Sequence, residues 1–468
     1  MDPERAKRRQ SLKIIVSETI MVIAVVLMVA ILALLVSGYW VNSDFKVERQ
    51  GLLQVSSMPT GADVYIDGDS SWFQRTNTSK VLSSGEHTIT ITKEGYDSWS
   101  RTINISEGLL YRLHYPRLFL NERITENVLN ATADMATFSP DHSSLLLINN
   151  TTMWQIVNVD SDNLTPQSLD ISNIFSSISI AEGAAEGLFT GEILEAKWDK
   201  DGNHVLFKVK SESGTEWVLL DIKNPTKSTN LTKDFGSDFS AVQILDNSAN
   251  NLLVIRNGNL HKIDLGSRVI SAILVENVID FDHYEANEAV FSATDKVSSQ
   301  DKYYVGVLKL SNGQITKAFN TVSPSMVVIN KFYDDKYITS VENNVVSLYK
   351  KDDFSLVQSF NLSFSPESLK VGHDGEFITM VSGNKIATLD MEAMATTEWQ
   401  VENSNFGWLD NDMVYTVLEG QLAVYDFNGL NRRVLSTNAA DGFPAAITSD
   451  KWLYYFFNNH LVRELITR

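Results

Sequence analysis

The stretch Trp198-Asp199-Lys200-Asp201-Gly202-Asn203 leads, after His204, into the apolar run VLFKV at 205–209. This stretch shows the unit on which most of the chain is built. An aromatic residue precedes a polar turn that contains Asp and Gly, and an apolar strand follows that turn. A second apolar run, WVLLDI at 217–222, comes next and ends near Asp. Because Asp-Gly pairs tolerate the backbone of tight turns, the pattern predicts antiparallel strands joined by short hairpins.

The same unit recurs along residues 125–468. Eight candidate copies are spaced by about 37 to 59 residues, and they average about 43 residues over this span. Repeats of roughly 40–45 residues with four strands each are typical of propeller blades, so we expect a propeller of seven or eight blades. The pairing of strands from both chain ends that closes a wide ring has no recognisable signature in the sequence. The other clear copies are Phe138-Ser139-Pro140-Asp141-His142, Val371-Gly372-His373-Asp374-Gly375 and Trp408-Leu409-Asp410-Asn411-Asp412, and weaker ones surround Val242, Phe281, Phe332 and Ile447.

The Ser139-Pro140-Asp141 turn and the Asp-Gly copies resemble the TolB-like branch of the WD-repeat propellers. The resemblance extends over about three quarters of the chain as a pattern, not as sequence identity. It implies a rigid ring with a polar central channel, of the kind used mostly to bind peptides, proteins or glycans.

A smaller region, residues 51–118, alternates with period two. In Glu86–Thr92 isoleucines alternate with threonines, and Trp99–Ile105 shows the same alternation. A third strand, Val64-Tyr65-Ile66, is closed by the turn dipeptide Asp67-Gly68. Strands with one apolar and one polar face predict a small antiparallel sandwich or sheet.

This region resembles the PEGA family. The matching blocks are Pro59-Thr60-Gly61-Ala62, Tyr65-Ile66-Asp67-Gly68, Leu82-Ser83-Ser84-Gly85-Glu86-His87, and Lys93-Glu94-Gly95-Tyr96 with Trp99. The family's Gly-x-Thr-Pro element is replaced by Gln74-Arg75-Thr76-Asn77, which leaves the conformation of 69–79 open. The resemblance implies a surface-exposed carrier or binding module. We interpret Tyr65, Tyr96, Trp99 and His87 as core and turn residues.

The N-terminus predicts a membrane anchor. Residues 14–36 run IIVSETIMVIAVVLMVAILALLV with one charge, Glu18, and a helix of that length spans a bilayer core. Residues 1–13 carry five basic and two acidic side chains, so the positive-inside rule keeps this tail cytoplasmic. Tyr39 and Trp40 follow at the far interface, and 37–50 is expected to be a linker. A cleaved signal peptide would have a shorter apolar run and a small-x-small cleavage site.

Charge and composition exclude several classes. The chain has a formal net charge of −19, and because residues 1–13 contribute +3, the remainder carries −22. This negative charge argues against nucleic acid as a partner. Cysteine is absent, which removes disulfides and thiolate sites and suits a bacterial envelope protein with large cores. No motif for a catalytic nucleophile, a metalloprotease or a phosphate loop occurs. The eight histidines, at 87, 114, 142, 204, 261, 283, 373 and 460, show no ligand spacing.

Two Asp-rich patterns resemble calcium loops. Asp199-x-Asp201-Gly202-Asn203 and Asp160-x-Asp162-Asn163 place oxygens at alternate positions, but neither has the closing Glu. We interpret both as hairpin turns and expect no catalytic, cofactor-binding or metal-binding residues.

One stretch, residues 166–192, does not fit the repeat and is a candidate partner-binding excursion, with an Ala/Glu portion that could form a short helix. The overall expectation is a single-pass, non-enzymatic protein of the cell envelope with its body outside the cytoplasm. Its propeller would recognise protein, peptide or cell-wall glycan. The alternative is a propeller hydrolase or lyase with its active site at the central channel. A sensor that signals through the helix is less favoured, because the cytoplasmic tail is short.

Overall fold

The computed structural model describes residues 18–33, 39–41, 47–161, 163–175, 178–179, 188–211, 214–245, 249–295, 302–372, 374–402 and 406–468. The chain divides into two compact units, Met1–Glu122 and Arg123–Ile466, each of which is described by itself.

The first unit begins with helix α1, residues 18–33. Its large apolar side chains point in all directions, and each is more than half exposed. Among the described residues, no helix is both long enough and apolar enough to cross a membrane. The predicted tail 1–13 and both ends of the predicted span 14–36 lie outside the described residues.

Two four-stranded sheets make up the rest of the first unit. One has the order β1-β2-β5, with β8 also paired to β2, and the other has the order β4-β3-β6-β7. The strands are β1 (Tyr39–Val41), β2 (Val47–Val55), β3 (Asp63–Ile66), β4 (Asp69–Arg75), β5 (Thr78–Ser83), β6 (Gly85–Thr92), β7 (Trp99–Ile105) and β8 (Leu110–Leu113). The expected linker 37–50 therefore differs from the structure, because β1 pairs with β2 inside it.

The period-two pattern is confirmed in this unit. Ile89, Ile91 and Trp99 are fully buried, whereas Thr88 is exposed and Thr90 and Thr92 are half-buried. The Asp67-Gly68 turn has positive φ at both residues, 54° and 76°, as a tight hairpin requires. The segment 69–79, whose conformation the sequence left undecided, forms β4, a two-residue turn and the start of β5.

Within the described part of the second unit there are eight four-stranded antiparallel sheets, which we number in chain order. Sheet 8 is completed by β9 from the start of the unit. The strands of sheets 1 to 4 are β10 (Met135–Phe138), β11 (Ser144–Ile148), β12 (Met153–Asn158), β13 (Gln167–Asp170); β16 (Glu192–Trp198), β17 (His204–Ser211), β18 (Gly214–Asp221), β19 (Thr229–Asn230); β20 (Phe239–Ile244), β21 (Asn251–Arg256), β22 (Asn259–Asp264), β23 (Val269–Ile270); and β24 (Val278–Tyr284), β25 (Glu288–Asp295), β26 (Lys302–Lys309), β27 (Gln314–Thr321).

Sheets 5 to 8 have the same design. Their strands are β28 (Ser325–Phe332), β29 (Asp335–Glu342), β30 (Val345–Lys350), β31 (Leu356–Asn361); β32 (Ser368–Val371), β33 (Phe377–Ser382), β34 (Lys385–Asp390), β35 (Ala395–Gln400); β36 (Phe406–Trp408), β37 (Met413–Leu418), β38 (Gln421–Asp426), β39 (Arg433–Ser436); and β40 (Ala446–Thr448), β41 (Trp452–Phe457), β42 (His460–Leu465), β9 (Thr125–Asn130). Outside the sheets lie the two-stranded pair β14 (Ile178–Ser179) and β15 (Leu188–Phe189), a 3₁₀ turn at Pro225–Lys227 and helix α2 (Leu231–Phe235).

All eight predicted repeat turns fall at the same place, at or next to the connection between the first and second strands of a sheet. The second and third strands are mostly buried, whereas the fourth strands are largely exposed. The eight sheets agree with one of the two expected blade counts, seven or eight, and each sheet has the expected four strands.

Neighbouring sheets share apolar cores. Trp154 of sheet 1 packs with Phe207 of sheet 2, and comparable clusters join sheets 2 to 3, 3 to 4, 4 to 5 and 5 to 6. Phe377 of sheet 6 stacks on Phe427, which follows the third strand of sheet 7, with ring centroids 4.1 Å apart. Leu461 of sheet 8 lies in one core with Leu145 of sheet 1. Sheets joined in this order, with buried middle strands and exposed fourth strands, form a β-propeller in which the fourth strands lie outermost.

The stretch 166–192 differs from its prediction. Residues 167–170 form the fourth strand of sheet 1, and Ile171, Phe175 and Phe189 are buried in the core between sheets 1 and 2. These residues therefore belong to the sheet and its core, and this part of the stretch fits the repeat. The expected Ala/Glu helix falls on 180–187, outside the described residues.

Candidate functional site

The first strands of sheets 2, 3 and 4 share an irregularity. Each carries a β-bulge near its start, at Leu194, Ser240 and Ile279 respectively. A bulge adds one unpaired residue, which bends the strand and changes the direction of the side chains that follow. The three bulged strands are also the strands whose far ends meet at a concave site of the propeller.

That site is a cavity of about 800 Å³ lined by residues of sheets 1 to 4. Its walls come from the ends of the first strands and from the turns that follow them. The lining includes Pro140, Lys197, Lys200, Gln243, His283, Tyr284 and Glu285. Since four sheets contribute, the cavity depends on the propeller arrangement and has no counterpart in any single stretch of sequence.

Gln243 and His283 join sheets 3 and 4 at the cavity wall. The Gln243 amide nitrogen donates to the carbonyl oxygen of Phe281 at 2.9 Å, so its amide oxygen accepts from His283 Nδ1 at 3.0 Å. Burial lowers the pKa of His283 to about 4, so the ring is neutral at pH 7. With its proton on Nδ1, the imidazole has Nε2 as an acceptor.

Asp280 and Asp282 join sheets 4 and 5. The Asp280 carboxylate accepts the backbone N–H of Val327 at 2.9 Å, and the Asp282 carboxylate accepts that of Ile329 at 3.0 Å. Burial raises the pKa of both carboxyls, that of Asp282 to about 6. The charge of Asp280 adds to the rise in the pKa of Asp282, and the ammonium of Lys197 opposes it.

Lys197 and Trp198 close the site on the side of sheet 2. Lys197 forms an ion pair with Glu195 at 2.7 Å, and Trp198 Nε1 donates to the hydroxyl of Thr137 in sheet 1 at 3.1 Å. The lining therefore combines a cation, a neutral imidazole and phenol and carboxylate groups with apolar side chains. Such a mixture suits binding of a polar ligand.

The Asp199 pattern forms a turn. Asp199 is 3% exposed, and its carboxylate accepts the backbone N–H groups of Asn203 and His204 and pairs with the His204 ring at 2.7 Å. Its oxygens are therefore engaged within the hairpin. Asp162 of the second pattern lies outside the described residues. Among the residues that are described, no three or more His, Asp or Glu side chains are grouped so that they could hold a metal ion.

Most described histidines bond to backbone carbonyls or to carboxylates. His142 donates from Nδ1 to the carbonyl of Ile447 at 3.1 Å, which joins sheets 1 and 8. His261 and His460 donate to backbone carbonyls of nearby turns. His373 is not among the described residues. His283 was not singled out from the sequence, where the only signal was the pair of adjacent apolar residues Val278 and Ile279 that breaks the alternation.

A Ser-His-Asp arrangement occurs in the first unit, at Ser83, His87 and Asp67. His87 Nδ1 lies 2.7 Å from the Asp67 carboxylate, and Nε2 lies 2.9 Å from the backbone carbonyl of Ser83. Nε2 is thus directed at a carbonyl oxygen, while the Ser83 hydroxyl is 3.4 Å away. The group fastens the Asp67-Gly68 turn to β6, as expected for His87 as a turn residue.

Successive four-stranded sheets with shared cores, preceded by a small two-sheet β unit, define the chain as a β-propeller protein with an N-terminal β domain. Residues 50–116 match the family described as PEGA domain, which confirms the resemblance found in the sequence. The match covers a minor part of the chain. No curated protein sequence matches the chain.

Three solved structures resemble it at low identity. An oligogalacturonate lyase from Vibrio parahaemolyticus is 13% identical, with 67% of this chain and 97% of that chain covered and a TM-score of 0.42. The Dos1 propeller is 13% identical, with 73% of this chain and 94% of that chain covered and a TM-score of 0.44. The dihydro-heme d1 dehydrogenase NirN in complex with DHE is 13% identical, with 75% of this chain and 72% of that chain covered and a TM-score of 0.42. At these scores the likeness carries no conclusion about ligand or activity, and the propeller architecture follows from the chain's own strand pairing.

Proposed function

We propose that this protein is a membrane-anchored, extracytoplasmic binding protein of the bacterial cell envelope. Residues 14–36 would be the anchor, residues 1–13 a cytoplasmic tail, and the PEGA domain and propeller the external body. Support comes from the length of the apolar run and from the basic residues before it. The described part of the helix is apolar on all sides and exposed, which suits a lipid environment better than water.

The propeller is proposed to be a closed ring of eight blades. The strand β9 pairs with β42, so the two ends of the second unit share sheet 8. The core common to sheets 8 and 1, with the hydrogen bond from the Tyr454 hydroxyl to the Val159 carbonyl, supports closure. A closed ring would keep the cavity walls at fixed distances, as selective binding requires.

The ligand is proposed to bind in the cavity at the ends of the first strands of sheets 1 to 4. The single observation that carries this proposal is the convergence of four sheets on one cavity of about 800 Å³, a size typical of ligand sites. The ligand classes that fit are a protein loop, a peptide or a cell-wall glycan. The strongly acidic body disfavours nucleic acid.

The test is ligand binding by the full-length protein in detergent, measured calorimetrically against envelope peptides and peptidoglycan fragments. The double variant Lys200→Ala/Glu285→Ala removes two exposed charges of the cavity rim. The matched control, Lys331→Ala/Asp334→Ala, removes the same charges near the corresponding turn of sheet 5. We expect the rim variant to weaken binding by at least about tenfold, or ~1.4 kcal/mol, and the control to leave it unchanged. Equal effects of the two variants would contradict the assignment of the ligand to this cavity.

A second candidate function is catalysis beside the same cavity, which is lined by His283. The observation in its favour is the carboxyl pair Asp280 and Asp282 beside a neutral His283, since groups with displaced pKa values concentrate at active sites. Against it, both carboxylates already accept backbone N–H groups of sheet 5. Mass spectrometry of the ligand after incubation separates the two. Product formation that Asp282→Asn abolishes would replace the binding function with an enzymatic one.

A further inference from the structure

An apolar row crosses the exposed face of the sheet β1-β2-β5 in the PEGA domain. Leu52 on β2 is directly opposite Val81 on β5 and opposite Leu110 on β8, so the side chains are neighbours across three strands. The apolar row consists of Leu52, Val81 and Leu110, which are 38%, 47% and 37% exposed.

The chain connects this row to the predicted anchor by a short path. Only two residues separate Val36 from Tyr39, where β1 begins, and these three chain steps reach at most ~10 Å. In β1, Tyr39 is the residue nearest the anchor, and it pairs with Arg49 of β2. Leu52 follows three residues later along β2, another ~10 Å.

The strand order directs the row toward the anchor. β5 and β8 cover opposite edges of β2 at residues 52–55, and β1 pairs with the preceding residues 47–49. Leu110 begins β8 at the end closest to Tyr39. Since β2 runs antiparallel to β1, the chain reverses after leaving the anchor, and residues 50–55 run back past Tyr39.

We propose that the apolar row lies in the headgroup layer of the membrane that holds residues 14–36. Membrane interfaces accept apolar side chains accompanied by basic ones, and Arg112 lies two residues from Leu110, on the same face of β8. The docking would fix the orientation of the PEGA domain against the bilayer. It rests on the proposed anchor and goes beyond it.

The absence of cysteine from the chain allows specific labelling at single introduced cysteines. The full-length variants Leu110→Cys, Met28→Cys and Asn104→Cys report on the row, the anchor and the exposed opposite sheet. Each is labelled with a polarity-sensitive fluorophore and reconstituted in phosphatidylglycerol-containing nanodiscs, with and without nitroxide-labelled lipid. We expect strong quenching at position 28, quenching with a blue shift at 110, and at least about fivefold weaker quenching at 104. Adding Leu52→Ser should reduce the quenching at 110.

The outcomes separate the two proposals. Quenching at 28 without quenching at 110 overturns the docking and keeps the anchor. Quenching at 110 alone overturns the anchor, and with it the docking in a membrane that holds residues 14–36. A blue shift at 110 without quenching means that protein covers the row, which overturns the docking, and no quenching at either position overturns both.

Discussion

Asp282 on β24 accepts the backbone N–H of Ile329 on β28 at 3.0 Å, and so joins sheet 4 to sheet 5 through a carboxylate. The first strand of a propeller sheet has one edge without a strand partner, and its N–H groups need other acceptors. Asp280 and Asp282 supply two of them. The same burial that makes the bond effective raises the pKa of Asp282 to about 6.

The first prediction concerns the charge of Asp282. Its folded-state pKa of about 6 is above the ordinary 3.8, so the folded protein binds this proton more tightly than the unfolded chain does. Stability from this group therefore falls as the pH rises from about 4 to about 6. Asp282→Asn keeps an acceptor for Ile329 without the charge. We expect it to raise the free energy of unfolding at pH 7.5, by on the order of 1–3 kcal/mol, and to leave it nearly unchanged at pH 4.

Denaturant unfolding between pH 4 and 8 measures this difference. The exposed Asp334→Asn, in the corresponding turn of sheet 5, serves as the control and should behave like the wild type. A stability difference that is the same at every pH would refute the role of the Asp282 charge.

The second prediction is an opposite slope from His283. Its folded-state pKa of about 4 is below the ordinary 6.5, so the unfolded chain binds the proton more tightly and stability is lost as the pH falls from about 6.5 to 4. In the wild type, the opposite pH dependences that Asp282 and His283 give to the free energy of unfolding largely cancel between pH 4 and 6. His283→Gln should leave a stability that falls with rising pH, and Asp282→Asn one that rises. Unfolding curves of the two variants with the same sign of slope would contradict this.

The sequence predicted the repeat well because each unit is local. The Trp198–Asn203 turn and the other clear copies carry their own polar turn residues and apolar strands, so their first hairpins can be recognised in isolation, whereas the copies near Val242, Phe281, Phe332 and Ile447 are weaker. The strand that completes sheet 8 could not be recognised in this way. Strand β9 pairs with β42 across more than 300 residues, and nothing in TENVLN marks it as the outer strand of sheet 8.

The site was harder to predict for the same reason. Gln243 and His283 are 40 residues apart in the chain and 3.0 Å apart in space. Asp282 and Ile329 are separated by 47 residues. Bulges at Leu194 and Ile279 change which face the following residues occupy, and a single-residue change of register reverses any prediction based on alternation.

The third prediction tests a buried ion pair near the start of the propeller. Arg123 donates from Nε to Glu464 and from Nη2 to the Leu435 carbonyl at 2.8 Å, which joins sheets 7 and 8. Glu464 is 4% exposed, so Arg123→Ala would leave a buried carboxylate without its cation and should destabilise by about 3–5 kcal/mol. The double variant Arg123→Ala/Glu464→Gln should be less destabilised than the single one. Thermal unfolding of the two single variants, Arg123→Ala and Glu464→Gln, and of the double variant decides. A double variant that is destabilised by the sum of the two single effects would argue against the pairing.

The last prediction addresses ring closure. Leu461 on β42 is fully buried in the core that sheet 8 shares with sheet 1, and it lies opposite Leu129 of β9. If the ring is closed, Leu461→Ala opens a cavity in a core held from both chain ends and should lower the free energy of unfolding by about 2–5 kcal/mol. Leu356→Ala, at a residue 55% exposed on the outer strand of sheet 5, should change it by less than about 0.5 kcal/mol. Denaturant unfolding of the full-length protein compares the two. Equal, small effects would mean that sheet 8 does not hold the two ends of the propeller together.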